Sequence, residues 1–167
     1  MMTQMLMVAQ AEAAEGVILL HGLVRSSRSM EPMAKRLRAE GFIVANVDYP
    51  SREAAIGVLS EKVVGDALNL PALKDCPKIH FVTHSMGGIL VRHYFAHHHE
   101  PRLGRVVMLA PPNQGSEVVD RLGSWKLFQL LHGPAGNELG TSSNALPNQL
   151  GSVDFECGVI AGDRTIN

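Results

Sequence analysis

Five short apolar runs, each closed by Gly or Pro and separated by segments of helical periodicity, restrict what this chain can fold into. Val17-Ile18-Leu19-Leu20 stops at His21-Gly22. Phe42 to Ala45 leads through Val47-Asp48-Tyr49 to Pro50. Ile79 to Thr83 carries Phe81 and Val82 at its centre. Val106 to Ala110 ends at Pro111-Pro112, and Val159-Ile160-Ala161 ends at Gly162. A half-solvated strand would alternate apolar and polar residues; unbroken runs rich in branched side chains suit strands covered on both faces of a parallel sheet.

The segments between them suit helices. Ser29 to Glu40 places Met30, Met33, Ala34 and Leu37 on one helical face. Ser29 is expected to cap it, Glu31 and Pro32 to fill its first turn, and Gly41 to stop it. Further helices are expected over Glu61 to Leu70, Met86 to His98 and Ser116 to His132, the last interrupted at Gly123. Residues 133 to 153, rich in Gly, Pro, Asn and Ser, read as an irregular connection. The alternation predicts an α/β fold, a mostly parallel sheet with helices on both faces.

At 167 residues the chain has the length of one domain. Residues 1–15 read as a leader and 16–167 as the core. Within the leader Ala9-Gln10-Ala11 fits a cleavage pattern. However, no Lys or Arg precedes the apolar part, and that part, Met5 to Ala9, is short for a signal peptide. A net charge of −1 gives no electrostatic reason to bind nucleic acid or an anionic membrane. No stretch approaches the ~18 apolar residues of a membrane span. Cys76 and Cys157 could pair, but in a chain this long they read as buried thiols, which favours a cytoplasmic setting over a secreted one.

The chemistry is concentrated in Ile79-His80-Phe81-Val82-Thr83-His84-Ser85-Met86-Gly87-Gly88-Ile89-Leu90. Here a strand runs directly into a helix with a serine at the junction. So sharp a turn projects the hydroxyl above the sheet edge and strains the backbone, which demands small neighbours. Gly87 lets the helix approach the strand, and Gly88 keeps its start slim. Thr83 stands where the pattern G-x-S-x-G has its first Gly. Ser85 is therefore the candidate nucleophile. The Met86 N–H, at the helix N-terminus, is a candidate oxyanion donor. A second donor must come from a neighbouring loop, and Leu23, after His21-Gly22 at the first strand end, is the candidate. His21 is read as a structural histidine that fixes this loop.

The pairing of Leu20-His21-Gly22-Leu23 with Thr83-His84-Ser85-Met86-Gly87-Gly88 resembles bacterial lipases and esterases of the α/β-hydrolase family. So does Ala110-Pro111-Pro112-Asn113-Gln114-Gly115-Ser116 after the next strand. The likeness covers roughly residues 16 to 120. It implies hydrolysis of carboxylic esters through an acyl-enzyme on Ser85, without a cofactor or metal. The substrate would be a small-molecule or polymeric ester, polyesters included. Little sequence lies between the strand ending at Ala110 and the one expected near Phe155, so an open site without a large cap is anticipated. Substrate-binding residues are not assigned.

That family orders its triad Ser, then Asp or Glu, then His. All eight histidines here lie at or before residue 132. The acid and base are therefore expected beyond residue 167, in a fold that reads as C-terminally incomplete. Asp163 is a weak candidate acid. His132 and the run His97-His98-His99 are weak candidate bases, and the side chain of His84 should diverge from Ser85. Serine without a base is a poor nucleophile, so the alternative is a catalytically impaired hydrolase-like binding or interaction protein. If the 167 residues are the whole protein, self-association should cover an open sheet edge.

Three further features have two readings each. His93 and His97, one helical turn apart, could bind a metal or could be cations at a helix C-terminus; the second is preferred. Tyr49 could line the site or anchor a turn. Trp125, Leu127, Phe128, Leu130 and Leu131 could form a small lid or pack on the sheet. Arg25 and Arg28 are expected on a solvated loop.

Overall fold

The computed structural model describes residues 13–114, 133–136, 138–142 and 144–162. The expected leader up to residue 12 and the helix expected over Ser116 to His132, with its lid residues, lie outside them. So do His132 and Asp163.

Five strands form one parallel sheet: β1 (Gly16–Leu20), β2 (Ile43–Val47), β3 (Ile79–His84), β4 (Leu103–Leu109) and β5 (Cys157–Ile160). Their order is β2-β1-β3-β4-β5. Among the described residues the helices include α1 (Glu31–Ala39), α2 (Ile56–Leu68), α3 (Met86–Phe95) and the single turn α4 (Leu146–Gln149). The sheet is α/β in architecture, and its two faces are covered by different helices. Successive residues of a strand point to opposite faces, and β1 shows the division. Val17 and Leu19 pack with Met30, Ala34 and Leu37 on the α1 side. Ile18 and Leu20 pack with Phe81, Leu59, Val63, Ile89 and Leu90 on the α2 and α3 side.

Burial is greatest in β1, alternates along the middle strand β3 and is least at the edges. All five residues of β1 are buried, whereas β2 is half-exposed and β5 exposed throughout. Their apolar composition fits the sheet interior, yet they are the two edges of the described sheet, and Ile43, Val159 and Ile160 are exposed. Among the described residues both cysteines are free; Cys76 is buried, and Cys157 on β5 is exposed rather than buried. No helix of the described residues is long and apolar enough to cross a membrane.

Some boundaries differ from expectation. Ser29 does not cap α1: a short 3-10 turn, Ser27–Met30, precedes that helix, and the Ser29 hydroxyl donates to the Ser26 carbonyl. Gly41, at φ 92°, does end it. Helix α2 starts at Ile56, not near Glu61, because the Glu138 carboxylate accepts the Ile56 N–H at 2.7 Å. An acceptor 82 residues away serves this helix N-terminus, which local sequence cannot announce. Helix α3 ends at Phe95, three residues before His98.

Candidate active site

The order of the strands defines where a site can form. From β1 the chain moves to one side to build β2, then returns to place β3 on the other side of β1. In open parallel sheets the carboxyl ends of two such strands frame a crevice that helices do not fill. Here β1 delivers His21-Gly22-Leu23 to that crevice, and β3 delivers His84-Ser85. The register pairs Leu20 with Thr83, so Gly22 and Ser85 follow side by side. A β-carbon on Gly22 would lie 3.2 Å from that of Ser85 and 2.7 Å from Nδ1 of His84. A side chain there would have to displace the His84 ring.

Ser85 has φ 51° and ψ −120°. Non-glycine residues avoid this backbone because Cβ crowds the carbonyl. Two hydrogen bonds hold the turn: the Ser85 N–H donates to Leu109 O at 2.9 Å, and the Gly88 N–H to Ser85 O at 3.0 Å. The Ser85 side chain makes no capping bond to α3, and the residue is half-buried. Behind it, a β-carbon on Gly87 would lie 2.8 Å from Leu20 O. A β-carbon on Gly88 would stand 3.2 Å from both Thr83 Oγ1 and Met108 Sδ. Thr83 is fully buried, and among the described residues its hydroxyl has no hydrogen-bond partner.

His21 holds the opposite loop. It is fully buried and stacked on Tyr49 with ring centroids 4.0 Å apart. A carbonyl can only accept, so Nδ1 donates to Gly22 O at 2.8 Å, and Nε2 accepts the Tyr49 N–H at 3.3 Å. The Tyr49 hydroxyl donates to the His21 carbonyl in a short bond. Tyr49 is thus the anchor of this turn. The Leu23 N–H that follows makes no hydrogen bond within the described residues. Burial, with smaller contributions from Arg25 and His21, holds His84 below the usual histidine range.

The other described histidines lie elsewhere. His97, His98 and His99 follow the far end of α3, about 15 Å along the helix from Ser85 at 1.5 Å per residue. His93 bonds Ser60 Oγ, His97 bonds His93 O, and His98 pairs with Glu61 at 2.8 Å. Among the described residues no group of three metal-ligating side chains exists.

One residue that the sequence reading passed over is Arg92, on α3 and only 8% exposed. It donates to Asn113 Oδ1 at 3.1 Å, Pro147 O at 3.2 Å and Gly151 O at 2.7 Å. It therefore ties the loop after β4 and the segment around α4 to the helix that follows Ser85. The available signal was a lone cation inside the apolar run Ile89-Leu90-Val91-Arg92.

A parallel sheet covered on both faces, with a strained serine between β3 and its helix beside the β1 loop, defines an α/β protein with a crevice at its strand ends. The sequence profile described as "Alpha/beta hydrolase family" matches residues 17–155, and the chain belongs to that family. No match was found among curated proteins. Among solved structures it is similar to the mature lipase BlEst2 of Bacillus licheniformis (TM-score 0.67, 21% identity, 94% of this chain and 69% of that one). It is also similar to the phospholipase PlaB of Legionella pneumophila (TM-score 0.72, 18% identity, 89% and 39%). An extracellular alpha/beta-hydrolase from Paenibacillus is a third (TM-score 0.56, 17% identity, 70% and 53%). At these identities the likeness establishes the fold.

Proposed function

We propose that this chain carries the nucleophile of a serine hydrolase that cleaves carboxylic esters through an acyl-enzyme on Ser85. One observation carries the reading: Ser85 holds φ 51° with its side chain uncommitted to the helix behind it. A residue that merely starts a helix has no need of such strain. Ala55, before α2, sits in relaxed extended backbone at φ −62° and ψ 155°.

In this reading Ser85 Oγ attacks the acyl carbon and its proton passes to a base. The oxygen of the tetrahedral intermediate takes hydrogen bonds from the Leu23 and Met86 N–H groups, the second at the positive end of α3. Collapse breaks the ester C–O bond, releases the alcohol and leaves the acyl group on Ser85 for water to remove. No hydrogen bond joins Ser85 to a histidine among the described residues, so the reading draws the base from outside them. A lipase and a phospholipase among the similar structures agree with an ester substrate.

The test is labelling by a fluorophosphonate together with p-nitrophenyl ester turnover. Label on the Ser85 peptide, and a loss on the order of 10³-fold or more in Ser85→Ala, are expected. Equal turnover by both proteins removes Ser85 from the mechanism. That no described histidine bonds the Ser85 hydroxyl also favours a second reading, a hydrolase-like binding protein, which predicts neither label nor turnover.

A further inference from the structure

Beside the Leu23 loop lies a hollow of about 250 Å³, walled by Arg25, Tyr49, Ser51, Arg52 and Glu53. It lies between the loop leaving β1 and the loop leaving β2, at the same end of the sheet as Ser85. The two loops are joined: the Val24 N–H donates to Ser51 Oγ at 3.1 Å. Val24 is a β-branched residue at φ 58°, a conformation that must be imposed by its surroundings. The link and the Arg25 N–H bond to Gly22 O hold it there.

The hollow is rich in donors. Ser51 is 5% exposed; its oxygen accepts from Val24, and its own hydrogen has no acceptor among the described residues. The guanidinium of Arg25 makes no ion pair or hydrogen bond with a described residue. Its charge nevertheless reaches His84, the residue before Ser85. Arg52 and Glu53, of opposite charge, complete the wall. Asp48, the nearby acid, is turned onto the Ser27 N–H at 2.8 Å.

We propose that this hollow is a subsite for an anionic oxygen group of the substrate, a carboxylate or a phosphate, carried near the ester that Ser85 attacks. The inference rests on the Ser85 reading and deepens it by naming the substrate class. Guanidinium and hydroxyl donors match planar or tetrahedral oxyanions.

The test has two arms. In the first, kcat/KM for 4-nitrophenyl hydrogen glutarate is divided by that for the equally long neutral ester 4-nitrophenyl valerate. The ratio is expected to fall about tenfold from wild type to Arg25→Gln, and further in Arg25→Glu, with added salt narrowing the difference. The same ratio in all three proteins overturns the proposal. In the second arm, amide shifts of residues 24, 25 and 51–53 are followed during titration with inorganic phosphate. Saturation in wild type that is lost in Arg25→Glu supports the subsite, and no saturation in wild type overturns it. A protein that saturates with phosphate yet hydrolyses neither ester sinks the Ser85 reading while leaving the subsite standing.

Discussion

Gly87 sits so close to Leu20 that a β-carbon on it would lie 2.8 Å from the Leu20 carbonyl oxygen and 3.0 Å from that of His21. Both obstacles are backbone, at the carboxyl end of the fully buried strand β1. This contact seats the start of α3 against β1 and so sets Ser85 beside the His21-Gly22-Leu23 loop. Most of the site geometry depends on that approach.

Gly87→Ala is therefore expected to destabilise the protein by about 1–3 kcal/mol, because the obstructing backbone cannot yield as a side chain would. Gly65, inside α2, provides the contrast. A β-carbon there meets only the Tyr94 ring at 3.7 Å, an ordinary contact. Gly65→Ala should stabilise by about 0.5–1 kcal/mol through helix propensity. Urea midpoints of the two variants should move in opposite directions.

Relief of strain should be measurable at Ser85 itself. Glycine accepts φ 51° without a Cβ penalty, and alanine does not. Ser85→Gly should be more stable than Ser85→Ala by about 1 kcal/mol, although both lose the hydroxyl. Equal stabilities in denaturant titrations would mean that the turn is unstrained.

Arg92→Met should cost about 3 kcal/mol, since it leaves the Pro147 and Gly151 carbonyls without their donor. Arg92→Lys should fall between the two, because an ammonium cannot span three acceptors as a planar guanidinium does. Guanidinium chloride unfolding of the three proteins checks the order.

Burial pushes the Tyr49 phenol well above the ordinary tyrosine value of 10.0. The folded chain then keeps this proton at pH values where the unfolded chain has lost it, so stability falls as pH rises. The contribution is complete below about pH 10 and is lost as pH rises through the folded value. Tyr49→Phe lacks this part of the slope. It should also be about 1 kcal/mol less stable at pH 8, having lost the hydroxyl bond to His21 O. Urea midpoints between pH 8 and 11.5 give both results.

The central parts of the site were legible because local rules write them. Val17 to Leu20 and Ile79 to Thr83 are apolar runs stopped by turn residues, and a serine between a strand and Met86-Gly87-Gly88 has few conformations open to it. Gly41 marked a helix end for the same reason. Ser29 misled because Ser before a periodic segment satisfies the capping pattern whether or not a 3-10 turn intervenes. The start of α2 was hidden because its acceptor, Glu138, arrives from a distant part of the chain.

The amino-acid sequence by itself determined the alternation of strands and helices, and the residue types at the tight bend around Ser85. Backbone propensity and the spacing of apolar residues act over a few neighbours and can be read from them. Only the tertiary structure decided that β2 and β5 are the exposed edges, that Arg92 joins three segments, and that Ser51 meets Val24 beside Arg25. Those outcomes depend on which strands lie next to each other. That order is chosen by packing of the whole core, which no short stretch of sequence encodes.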